Sequence, residues 1–199
     1  MESLRYSADD AELKALKRII LRCGERRLLP KGAYFVRCGE RSDEVAYIIR
    51  GGFKYTRPDS RNREHIYSFA FEGELIASYA AARNDCPAPL DICALEESAI
   101  VVIRIGEHPS FFQCDSEGRT YVWKFAEVLA FQHLQRFVFL ASTTPKERYR
   151  QLTAQYPGIL NRVSLREVAR YIGTRPETLS RMRTALLREE GDEGAPGLT

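Results

Sequence analysis

Glu177, Ser180 and Arg181 carry, within one short stretch, the donors and acceptors needed to read the edges of nucleic-acid bases. An arginine fork bonds O6 and N7 of guanine together, a glutamate accepts from the cytosine amino group, and a serine hydroxyl bonds or packs against a neighbouring base. Around them stand Arg166, Arg170, Arg175, Thr178 and Arg183, whose types suit contacts to phosphate that hold register without reading sequence. Taken singly, Glu177 is better explained as a helix-capping residue and Arg181 as a solvated surface residue. The reading rests on their combination with the charge and the helix signals around them.

The charge is lopsided. Between residues 144 and 188 ten basic side chains stand against three acidic ones, a balance of +7, whereas the rest of the chain holds 20 basic and 24 acidic residues. A polyanion is drawn to one end of such a chain. A solvated helical face would carry similar charge, so charge alone does not decide between them.

Two helices are needed to present the set. Ser164-Leu165-Arg166-Glu167 has the pattern of a capping box, and Leu165, Val168, Ala169 and Ile172 then recur at helical spacing as one apolar face. Gly173 supplies the left-handed residue that ends such a helix. Thr174-Arg175-Pro176-Glu177 restarts one at once, since proline is tolerated in a first turn and an acidic residue suits its positive end. On this second helix, expected over residues 175–188, Leu179, Met182 and Leu186 face inward while Glu177, Ser180, Arg181, Thr184 and Arg188 face outward. Two short helices about a glycine turn form a helix-turn-helix, whose second helix enters the major groove.

Upstream, Leu13, Leu16, Ile19 and Ile20 predict a leading helix over residues 8–22. From Arg27 to Ile105 the period shortens: Ala33–Val36, Val45–Ile49, Phe53–Thr56, His65–Ala70 and Ala99–Ile103 are short β-branched and aromatic runs divided by turn residues. They predict an antiparallel sandwich or roll. From Glu117 to Ser142 neither glycine nor proline follows Gly118, and dense apolar residues on more than one stripe predict a long helix that buries two faces, one of them against a second copy of the chain. Thr143-Thr144-Pro145 ends it and opens a further helix through Tyr149 and Leu152, closed by Pro157-Gly158. The acidic, glycine-rich stretch Glu189–Gly197 is expected to be a disordered tail.

The expected fold is therefore α+β: a β-roll effector domain (1–116), a long dimerisation helix (117–143), an all-α helix-turn-helix domain (144–190) and a tail (191–199). No apolar run reaches the ~18 residues of a membrane span, and the start Met1-Glu2-Ser3-Leu4-Arg5 lacks the form of a secretion signal, so a cytoplasmic protein without membrane contact is expected. Five scattered cysteines, Cys23, Cys38, Cys86, Cys93 and Cys114, read as reduced and mostly packing residues, with redox sensing a minor alternative. Only three histidines, His65, His108 and His133, are present for a cupin-like metal enzyme, and no nucleophile motif is present, so neither a metal nor catalysis is expected. A regulator acting through protein partners by its aromatic-rich helix remains a competing reading.

The chain resembles the Crp/Fnr family of bacterial regulators over most of its length. Arg175-Pro176-Glu177-Thr178-Leu179-Ser180-Arg181 is similar to that family's recognition-helix signature, in which the glutamate, serine and arginine read bases. Cys38-Gly39-Glu40-Arg41-Ser42-Asp43-Glu44 and Ile48-Ile49-Arg50-Gly51-Gly52 resemble turns of its cyclic-nucleotide-binding roll. The resemblance implies a homodimer on a two-fold symmetric operator in double-stranded DNA, RNA polymerase as a further partner, and a small-molecule effector of unknown identity. Gly73, Glu74 and Leu75 fall where relatives contact the ribose, but no arginine stands at Cys86-Pro87-Ala88-Pro89-Leu90 to hold a cyclic phosphate, and Arg83 lies too early. Burying a phosphate without a cation is costly, so cyclic AMP is not expected to bind. The β-hairpin wing that commonly follows the recognition helix is not evident either, which resembles the wingless variant.

Overall fold

The computed structural model describes residues 11–78, 86–108 and 121–193. Contacts divide the chain into two compact units, Met1–Phe137 and Val138–Thr199.

Among the described residues of the first unit, helix α1 (Ala11–Cys23) precedes eight strands: β1 (Glu25–Leu29), β2 (Tyr34–Val36), β3 (Glu44–Arg50), β4 (Phe53–Pro58), β5 (Glu64–Ala70), β6 (Leu75–Ala77), β7 (Asp91–Ala94) and β8 (Ser98–Arg104). They form two four-stranded sheets ordered β1-β8-β3-β6 and β2-β7-β4-β5. Every paired neighbour is antiparallel, as the sequence predicted for a roll.

The core runs through Ala46, Ile48, Phe53, Ile76, Ile92, Ile100 and Val102. The alternate residues of β3 and β8, Val45, Val101 and Ile103, pack instead with Leu16 and Ile20 of α1. Both faces of these strands are therefore covered, which is why their sequences read as near-continuous apolar runs rather than alternating ones.

Strands β1, β6 and β7 do not stand out in the sequence pattern. β1 (ERRLL) carries charge on a sheet edge, β6 has three residues, and β7 follows the Pro87 and Pro89 region, so none shows a sustained period of two. The β3–β4 hairpin needs glycine: Gly51 has φ +99°, and a Cβ there would fall 2.2 Å from Ser98 Oγ. The β4–β5 tip is organised by Asp59, whose carboxylate accepts from the main-chain N–H groups of Arg61 and Arg63 at 2.9 Å each and from Arg63 Nε at 2.9 Å. The main-chain and side-chain bonds from Arg63 hold its carboxyl well below the usual carboxylate range.

Helix α2 (Tyr121–Ser142) is one continuous helix, and its final turn belongs to the second unit. Residues 117–120 of the expected helix lie outside the described residues. The second unit continues with α3 (Pro145–Gln155), a 3-10 turn (Ile159–Asn161), α4 (Leu165–Ile172) and α5 (Pro176–Glu193). Its buried apolar residues are Leu152, Ile159, Val163, Val168, Ala169, Ile172, Leu179 and Leu186.

Two expectations are corrected. The first five residues of the expected disordered tail, Glu189 to Glu193, continue α5. No proline intervenes before Pro196, and extending a formed helix costs far less than starting one. The cysteines are not mostly packing residues: Cys93 is buried, Cys38 half-buried, and Cys23 and Cys86 exposed, all as free thiols, while Cys114 lies outside the described residues.

Candidate nucleic-acid interface

The helix pair is built from local signals upward. Ser164 Oγ accepts from Glu167 N at 3.3 Å while Glu167 Oε2 accepts from Ser164 N at 3.2 Å, so the expected capping box starts α4. At its other end Gly173 has φ +74° and ψ +38°. The Thr174 N–H donates to Ala169 C=O at 2.9 Å and the Gly173 N–H to Arg170 C=O at 3.3 Å, the paired bonds of a Schellman turn. This turn stops α4 and fixes the direction in which α5 departs. A second capping box, Thr144 with Glu147, starts α3 where the sequence predicts a helix from its proline alone; Thr144-Pro145-Lys146-Glu147 spells the box. The Thr144 main-chain N–H and hydroxyl hold the Glu147 carboxyl below its ordinary range.

Of the apolar face expected on α4, Val168, Ala169 and Ile172 are fully buried, but Leu165 is 38% exposed. Leu165 sits at the first position of the helix, where the chain has not yet turned under its neighbours. On α5 the division falls as expected: Leu179 and Leu186 are buried and Met182 half-buried, whereas Glu177, Ser180, Arg181, Thr184 and Arg188 are all exposed. The three base-reading candidates thus form one solvent-facing edge of a helix anchored by its opposite edge. Among the backbone candidates, Arg166, Arg175 and Thr178 are exposed, and Arg170 and Arg183 are half-buried.

In the roll, the Gly73-Glu74-Leu75 segment is tied into its own turn. Glu74 Oε2 accepts from Phe71 N at 2.7 Å, Glu74 C=O accepts from Ile48 N at 3.1 Å, and Gly73, at φ +83°, donates to Ile48 C=O at 3.0 Å. Burial pushes the neighbouring Tyr55 phenol above its usual range, with a hydrogen bond to the Ala77 main chain opposing, and burial lowers the Lys17 ammonium, with Glu74 opposing. Ala88 is buried and Cys86 exposed, and Arg83 lies outside the described residues. Among the described residues no group of three His, Cys, Asp or Glu side chains is placed to hold a metal, and no helix is long and apolar enough to cross a membrane.

Residues 26–113 match the cyclic nucleotide-binding domain family. FixK2 from Bradyrhizobium japonicum superposes with a TM-score of 0.71 at 15% identity, over 84% of this chain and 86% of that one. The chain has the fold of the Crp/Fnr transcription regulators. Two further solved structures are similar. The c-di-GMP-responsive global regulator CLP of Xanthomonas campestris gives a TM-score of 0.63 at 17% identity, over 92% of this chain and 95% of that one. A CRP-family transcriptional regulator from Thermus thermophilus gives 0.60 at 17% identity, over 82% and 85%. No curated protein matches the chain in sequence.

Proposed function

We propose that this chain is a sequence-specific DNA-binding transcription regulator without catalytic activity. The observation that carries the reading is the exposed edge Glu177, Ser180 and Arg181 on a helix whose other edge is locked by buried Leu179 and Leu186 behind a Schellman turn. Such an edge enters a major groove without rearrangement of its own helix, and its side chains match guanine and cytosine edges. Arg166, Arg170, Arg175, Thr178 and Arg183 act as phosphate contacts.

The regulator acts as a homodimer through α2. Exposed Trp123, Glu127, Ala130, Leu134, Phe137 and Ala141 follow one another at alternating intervals of four and three residues, the seam spacing of a coiled coil. Side chains as large as Trp123 and Phe137, 62% and 70% exposed, are the apolar knobs such a seam buries. The dimer reads a two-fold symmetric operator with half-sites about one helical turn apart.

The roll does not take cyclic AMP. Glu74 is engaged by Phe71 N–H, and the Cys86-to-Leu90 stretch offers no cation for a phosphate. Selection of bound sequences from random duplexes, with calorimetric titration of cyclic AMP and cyclic GMP in parallel, tests both parts. A palindromic consensus and no heat of nucleotide binding are expected. Absence of any selected duplex at low salt overturns the first part, and micromolar nucleotide binding the second.

A further inference from the structure

The ten basic residues of the +7 segment do not all have the same surroundings. The Arg148 guanidinium donates from Nη1 to Ile172 C=O at 2.9 Å, from Nη2 to Leu140 C=O and Thr143 C=O at 2.6 Å each, and from Nε to Thr143 Oγ1 at 3.3 Å. Ile172 is the last residue of α4, and Leu140 and Thr143 lie in the final turn of α2 and just beyond it. One planar cation therefore satisfies orphan carbonyls at the ends of two helices, where the helix dipoles are also negative. Four of its five N–H donors are committed to these bonds, whereas a phosphate contact needs them free. The rings of Phe139 and Tyr171, 6.1 Å apart, add a second link between the same two helices. Close packing leaves no slack beside the first: a Cβ on Gly173 would stand 3.1 Å from Arg148 Nη1.

We propose that Arg148 is a positioning residue that fixes the recognition pair to the end of α2 and so sets the half-site spacing that the dimer accepts. The inference rests on the proposed reading of the chain as a dimeric DNA-binding regulator. The Schellman turn fixes α5 to α4, and Arg148 fixes α4 to α2. When two α2 helices join along their seam, these links, together with the Phe139–Tyr171 contact, bear on how far apart the two recognition helices stand. A residue that only stabilised the fold would change affinity at every spacing together. A residue that sets geometry changes the spacing preference and leaves the bases read in each half-site unchanged.

The test is selection from duplex pools in which two half-sites are separated by varied numbers of base pairs, using the full chain as wild type, Arg148→Gln and Arg148→Lys. Wild type is expected to recover one spacing. Arg148→Gln is expected to recover the same half-site bases over several spacings, losing about tenfold of its discrimination, a ratio equivalent to ~1.4 kcal/mol. Arg148→Lys keeps a charge but not a planar fork, and is expected to relax the spacing as well. It also decides the matter should the glutamine variant not fold. The slope of log affinity against log salt is expected to stay unchanged, whereas loss of a phosphate contact lowers it by ~0.9. A folded variant that keeps the single wild-type spacing, or that loses salt slope instead, overturns the proposal while leaving the DNA-binding reading intact. A wild type that selects no duplex overturns both.

Discussion

Replacing Gly173 by alanine tests the turn on which the interface depends. Gly173 sits at φ +74°, and its missing Cβ would meet Arg148 Nη1 at 3.1 Å. An L-residue in left-handed conformation costs roughly 1–2 kcal/mol. If the guanidinium yields by a few tenths of an ångström, that is the whole effect. If it must release its 2.9 Å bond to Ile172 C=O, a charge-assisted bond worth ~1.5–3 kcal/mol is lost as well, and the total becomes ~2.5–5 kcal/mol. Either value is a large share of the ~5–15 kcal/mol typical of a folded domain. Urea unfolding followed by helical circular dichroism reads it as a lower midpoint at unchanged slope. Gly173→Asn separates the two contributions, since asparagine tolerates the left-handed region but carries the same Cβ. Alanine is expected to cost more than asparagine. An alanine variant within ~0.5 kcal/mol of wild type would refute the argument, because that is the range of an ordinary surface substitution.

Arg181→Ala should cost ~1–3 kcal/mol in specific DNA affinity and relax preference at one base pair, whereas Arg170→Ala should weaken all sequences alike and reduce the salt slope; binding titrations at several salt concentrations distinguish them. Leu134→Glu places a charge in the exposed seam of α2 and should shift the chain toward monomer in analytical ultracentrifugation, with little change in helix content. Leu179→Ala removes a fully buried anchor of α5 and should destabilise the second unit by ~2–5 kcal/mol in thermal or urea unfolding. Because the folded Asp59 carboxyl titrates below its ordinary value of about 3.9, its stabilisation is complete above that pH and is lost as pH falls toward the folded value. The gap in melting temperature between wild type and Asp59→Asn should therefore be constant above about pH 5 and close on acidification below about pH 4.

What could be read from the sequence follows from how local each cause is. Ser164 with Glu167, Gly173 and Pro176 act within one turn of chain, so the start, stop and restart of α4 and α5 are legible in the sequence, as is the outward edge of α5. The β-roll was recognisable from runs such as Val45–Ile49 and Ala99–Ile103, but β6 and β7 are too short to show a period and depend on partners far along the chain. In the sequence Arg148 reads only as charge, because its carbonyl partner at Ile172 is 24 residues away and nothing in a spacing rule points to it. The continuation of α5 past Glu189 was concealed by composition, which describes average behaviour and not whether a helix is already running.

Helix α1 closes the outer face of the roll, with Leu16 2% exposed and Ile20 fully buried against Val45, Val101 and Ile103. Full burial of two such side chains is worth ~3–6 kcal/mol by area. A shortened version of the protein that begins at the first strand would present a greasy sheet to water and tend to self-associate. Ligand screens on the isolated roll should therefore retain the leading helix, or false hits will come from sticking to that bare surface.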